Sequence, residues 1–106
     1  MPCATGIMFH KLEHSAALET QVREKIQQLE HFFPHLQSCH VTVGLPHKHQ
    51  HHGVQYEVRI TLAVPGAELV VNHKSNEDVY VALRDAFDAA RRRLQDFEGS
   101  RRSHKD

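Results

Sequence analysis

The stretch "PHKHQHHG", Pro46 to Gly53, places four imidazoles, His47, His49, His51 and His52, within eight residues. Neutral imidazole is a good ligand for Zn²⁺, Ni²⁺ or Cu²⁺. Alternate residues of an extended segment share a side, so His47, His49 and His51 are able to converge. Structural zinc sites, however, draw their ligands from separated rigid elements and often include Cys. The only two cysteines, Cys3 and Cys39, form no CxxC arrangement. No metal site, zinc ribbon or disulfide framework is therefore expected. With Lys48 among them, the same histidines make a basic finger once protonated, able to stack on unpaired bases or meet phosphate. A hydrated hairpin connection, which tolerates any polar composition, is the simplest reading of the stretch.

Other groups offer less to catalysis. Cys39 and His40 are adjacent, but neighbours in a strand point to opposite faces and form no nucleophile–base dyad. Ser38 shares the face of His40 only if the strand starts early. The chain has no Gly-rich phosphate loop, no HExxH and no paired-carboxylate motif. No catalytic residue is assigned and no cofactor is expected. Thirteen Lys and Arg balance thirteen Asp and Glu, whereas nucleic-acid binders are usually basic. Eleven histidines change that picture. On their reference value, acidifying from about pH 7.5 to 5.5 adds roughly nine positive charges.

The elements that position these groups follow from periodicity. At 106 residues with 40% apolar content the chain is one domain with a single core. The absence of an eighteen-residue apolar span or a signal-like N-terminus argues against a secreted or membrane form and for a reducing cytoplasm. Ile7 and Phe9 alternate in a short strand. Ser15 stands at a helix N-cap before Leu18, Val22, Ile26, Leu29 and Phe33, whose spacing of three and four makes one buried stripe, and Pro34 stops the helix. Cys39, Val41, Val43 and Leu45 share a face of the next strand. Val54, Tyr56, Val58, Ile60, Leu62 and Val64 alternate with Gln55, Glu57, Arg59 and Thr61, as in a sheet covered on one side. Pro65-Gly66 makes a tight turn, and a further strand sends Leu69 and Val71 inward. Ser75 with Asp78 resembles a capping box for a second helix. Its stripe is Val79, Leu83, Ala86, Phe87, Ala90, Leu94 and Phe97, and Gly99 is expected to end it. The reading is an α+β domain over residues 1–98, β-α-β-β-β-α, with residues 99–106 as a polar tail. The domain is a two-layer sandwich, with both helices on one face of a four-stranded sheet. The crossover through the first helix should be right-handed, which makes its two strands parallel if they are neighbours.

Three segments in this order, "EHSAALETQVREKIQQLEHFF", the "VPG" turn and "NEDVYVALRDAFDAARRRLQ", carry a resemblance. Together they resemble the ribosome hibernation-promoting factor family, which includes the ribosome-associated inhibitor called protein Y. The most specific piece is Glu77-Asp78-Val79-Tyr80, supported by Leu29-Glu30, and the likeness runs over about residues 4–98. It implies a fold like that of double-stranded-RNA-binding domains. It also implies docking on the small ribosomal subunit and its rRNA in the mRNA and tRNA channel, and inhibition of translation under stress by occupancy. The chain resembles the short form of the family. Neither a membrane nor a small-molecule substrate is implied, and free protein is expected to be monomeric.

Binding of that kind is electrostatic, because Lys and Arg on helices meet the phosphates and 2′-hydroxyls of structured RNA by shape. The candidate rRNA contacts are Arg23, Lys25, Arg84, Arg91, Arg92 and Arg93, with His47, Lys48, His49, His51 and His52 as auxiliary contacts. On a helical projection Arg84 and Arg91 lie together beside the stripe, Arg92 points away from the core, and Arg23 and Lys25 flank the first stripe on opposite sides. Of these, Lys25 and Arg92 coincide with basic positions of the family pattern. Glu19, Gln28, His31 and Ala89 stand where the family often has basic residues. Asp88, four residues from both Arg84 and Arg92, is a possible partner for either. The alternative is a small His-rich metal-binding or pH-responsive module on the same fold.

Overall fold

A computed structural model describes residues 4–45, 55–75 and 78–103. Strand β1 (Ala4–His10) leads to helix α1 (Ala16–Phe32), followed by β2 (Ser38–Gly44), β3 (Tyr56–Val64), β4 (Ala67–Ser75) and helix α2 (Val79–Ser103). The strands lie in the order β1-β2-β3-β4, with β1 parallel to β2 and the remaining pairs antiparallel. The β-α-β-β-β-α sandwich read from periodicity is therefore the one that forms.

Local signals set the element ends. The Ser15 side chain accepts a hydrogen bond from the Leu18 backbone N–H at 3.2 Å. It thereby satisfies one of the donors that a helix start leaves free. Phe33, just before Pro34, closes α1 by donating its N–H to the Leu29 carbonyl at 2.8 Å. Gly66 turns the chain between β3 and β4 with φ 85°, a conformation that only glycine adopts freely.

Inside, Val58, Ile60 and Leu62 of β3 are fully buried, as are Cys39 and Val43 of β2. They meet Leu18, Val22, Ile26 and Leu29 of α1 and Leu83, Ala86, Phe87, Ala90 and Leu94 of α2 in one core. Each fully buried aliphatic side chain of this kind contributes about 1.5–3 kcal/mol. Ala82 joins the core although the expected stripe omitted it. Tyr56, Phe9, Ile7 and Phe97 pack against the margin. Leu45 is half-buried just past β2, and Val54 lies outside the described residues.

Two helix boundaries differ from expectation. Strand β4 stays paired through Ser75, which faces Tyr56, so α2 cannot start there. Asp78 is the cap instead: its carboxylate accepts from the Tyr80 N–H at 2.7 Å and its carbonyl from the Ala82 N–H at 3.0 Å. At the other end α2 passes through Gly99 to Ser103, taking five of the eight expected tail residues into the helix. A glycine ends a helix when it turns left-handed, and Gly66 is the one described glycine with positive φ. In a right-handed turn, Gly99 costs the helix only about 1 kcal/mol.

Candidate nucleic-acid interface

The two helices expose their outer flanks on one side of the molecule, and the register between them decides which basic residues meet. At about 3.6 residues per turn, Lys25 and Phe32 fall on one flank of α1, while Arg23 falls on the other. On α2, Tyr80, Arg84 and Arg91 form a line along one flank. The Arg91 guanidinium sits 4.6 Å above the centre of the Phe32 ring, which turns these two flanks toward each other. Leu94 and Phe97 share a hollow with Phe32 and Phe33, so the C-terminal ends of both helices lie at the same end of the molecule. Helical spacing puts Lys25 and Arg84 each about two turns back from the Phe32–Arg91 contact, on the flanks that border the furrow between the helices.

Lys25 is half-buried, Arg91 and Arg92 are exposed, and none of the three has an ion pair among the described residues. Arg92 follows Arg91 onto the crest of α2. Arg93, about half a turn from Arg84 and Arg91, is exposed on the opposite flank. Arg23 is held away from the furrow, its Nε and a terminal nitrogen donating to Glu19 Oε2 at 3.0 and 2.9 Å. Glu19 also accepts from His14. These two partners, His14 first and Arg23 second, hold the Glu19 carboxyl below its ordinary range. Lys25, Arg84 and Arg91 thus fall on the flanks that α1 and α2 turn toward each other, with Arg91 making the contact across to Phe32, while Arg23 and Arg93 fall on the other flanks.

Asp88 does not pair with Arg84 or Arg92. Arg84 reaches its neighbour Asp85 at 3.2 Å, and Asp85 also faces His73 of β4 at 3.5 Å. Asp85 was not anticipated, because its role depends on how close β4 lies to α2. Phe32 was missed as well, although a signal existed: an aromatic one position before the last stripe residue must stand off the core. It is 54% exposed, enough to seat a cation, and His31 packs edge-on against the same ring at 5.6 Å. An exposed cation–π contact is worth about 0.5–1 kcal/mol and holds Arg91 in place before any ligand arrives.

The auxiliary contacts His47, Lys48, His49, His51 and His52 lie outside the described residues. Among the described residues no three His, Cys, Asp or Glu side chains are grouped to hold a metal ion. Cys39 is buried while His40 is exposed, on opposite faces of β2. No helix among the described residues is long and apolar enough to cross a membrane.

Comparison with known proteins bears on the family and the fold. A curated relative, the ribosome hibernation promoting factor of Azotobacter vinelandii, is 35% identical over 78 residues. The alignment takes in 74% of this chain and 66% of that protein, so the chain spans just under two thirds of the relative's length. A ribosomal subunit interface protein from Coxiella burnetii superimposes with a TM-score of 0.78 at 14% identity, over 91% of this chain and 98% of that one. The Thermus thermophilus Protein Y N-terminal domain gives a TM-score of 0.72 at 21% identity, over 92% and 99% of the two chains. At those identities the two structures establish the shared fold. Residues 6–102 match the family described as sigma 54 modulation protein / S30EA ribosomal protein, and the chain belongs to that family.

Proposed function

We propose that the chain is a ribosome-associated translation inhibitor of the hibernation-factor type. It would bind small-subunit rRNA through the furrow between α1 and α2 and stop translation by occupying the mRNA and tRNA channel under stress. Family membership and the name of the curated relative support the ribosome as the target. The observation that carries the reading is the seating of Arg91 on Phe32, which joins the flanks of α1 and α2 on which Lys25 and Arg84 also fall.

The mechanism needs no bond to be made or broken. Cations spaced along two helices neutralise phosphates, and release of the counterions condensed on the RNA drives association. The furrow reads the shape of a folded RNA surface, since guanidinium and ammonium groups meet backbone oxygens whatever the base. Asp85 moderates the attraction by holding Arg84. With the whole chain formally neutral, attraction is local and gives way to added salt. A monomer in the cytoplasm, working without a cofactor, fits this reading.

Co-sedimentation with small ribosomal subunits tests it. The protein is expected in the pellet at low salt and in the supernatant as salt rises. Protein that stays in the supernatant at low salt, at both about pH 7.5 and pH 6, sinks the proposal.

A further inference from the structure

The sheet face turned away from the helices has a chemistry of its own. Register places Gly6, His40, Thr61 and Val70 side by side in one row, and Met8, Thr42, Arg59 and Asn72 in the next. A third row holds His10, Gly44, Glu57 and Lys74. Each histidine stands opposite a glycine of the neighbouring strand. A methyl group at Gly6 would collide with Nδ1 of His40, so the imidazole lies across β1 in the space a side chain would fill. A methyl at Gly44 would fall 2.6 Å from the His10 carbonyl oxygen. The two glycines lower the face, and beside Gly44 they leave a hollow of about 310 Å³ bordered by His10, Thr42, Glu57 and Arg59.

The groups around that hollow are unspent. Among the described residues, Arg59, Lys74 and Glu57 have no ion pair. On the same face Met8 is 63% and Val70 48% exposed. They stand on β1 and β4 with two strands between them, so they make no continuous apolar patch of the kind a protein partner buries. An exposed ring laid across a strand and flanked by a thioether, with Arg59 and Lys74 interspersed with Glu57 and Glu68, instead suits unpaired bases, with the two cations to meet the phosphates between them.

We infer that the open sheet face binds single-stranded RNA. Bases stack on His40 and Met8, Arg59 and Lys74 meet the phosphates, and the edge of one base enters the hollow, where Glu57 and Thr42 accept its N–H groups. A duplex is excluded by the same geometry, because its bases are stacked on one another and unavailable to the ring. The inference does not depend on the helix furrow, which lies on the opposite face. The protein then has two RNA surfaces and is able to bridge a folded element and a free strand.

The test uses the full chain, without ribosomes, and a labelled unstructured RNA of about twelve nucleotides. Fluorescence anisotropy at low salt measures affinity, and amide shifts map the contact. Binding is expected with shifts on the open face, and His40→Ala and Arg59→Gln should each weaken it about tenfold. Gly6→Val, which displaces the His40 ring, should weaken it as well while the protein remains folded by circular dichroism. Failure to bind the oligonucleotide overturns the inference. So does binding that His40→Ala and Arg59→Gln leave unchanged, or shifts confined to α1 and α2. Concentration-dependent self-association that His40→Ala abolishes would assign the face to a second copy of the chain and also overturn it. Ribosome co-sedimentation reports on the furrow separately, so the two readings fail independently.

Discussion

Replacing Arg84, Arg91 and Arg92 together by Gln should weaken binding to the small subunit and flatten its salt dependence. The magnitude follows from what each side chain does before binding. Each cation that neutralises a phosphate contributes about 0.7–0.9 to the slope of log affinity against log salt. Arg91 and Arg92 have no acidic partner among the described residues, so each should contribute its full share. Arg84 is bound to Asp85 at 3.2 Å and must leave that carboxylate first, so its share is smaller. The triple variant should therefore lose roughly two units of slope. Between about 50 and 200 mM salt, the wild-type advantage should then shrink by roughly fifteenfold. Co-sedimentation across that range, repeated for each single variant, reads the slopes directly. A slope unchanged in the triple variant would refute the furrow as the interface. Arg84→Gln exceeding Arg91→Gln would refute the argument from pre-existing pairing.

Phe32→Leu removes the seat of Arg91 while keeping an apolar side chain, and at about 0.5–1 kcal/mol it should lower ribosome affinity two- to fivefold; Arg91→Gln should then add less to this variant than to the wild type. Glu19→Gln frees Arg23 on the flank of α1 away from the furrow, so ribosome affinity at neutral pH should change little. The same substitution tests a sign: the folded-state Glu19 carboxyl is depressed, mainly by His14 and then by Arg23. Its contribution is present above its ordinary value of 4.5 and is lost as pH falls through the folded value. The Tm difference between wild type and Glu19→Gln should accordingly close on acidification below pH 4.5, and a difference constant with pH would contradict the pairing. Replacing His47, His49, His51 and His52 by Gln should abolish any tightening of ribosome binding between about pH 7 and 5.5, and a flat wild-type titration would remove the loop from the interface.

The sequence by itself determined the elements and their layering. Ser15 caps α1 and Pro34 follows its end because caps and breakers act on backbone groups within a turn of themselves. The alternation from Val58 to Val64 could bury only one face of β3, which left a single sheet with both helices on that side. The basic residues were visible too, but not their company. Lys25, Arg84 and Arg91 fall on facing flanks because α1 and α2 lie side by side with their C-terminal ends together, an arrangement that no single-helix period contains. Phe32 became a seat for Arg91, and Asp85 rather than Asp88 became the partner of Arg84, for the same reason. The continuation of α2 past Gly99 was hidden because a glycine marks a helix end only when its φ turns positive. On the open face, Gly6 beneath His40 and Gly44 beside His10 are nearly the whole of a helix and a connection apart in the chain. Strand register alone sets them side by side, and only the folded sheet discloses that surface.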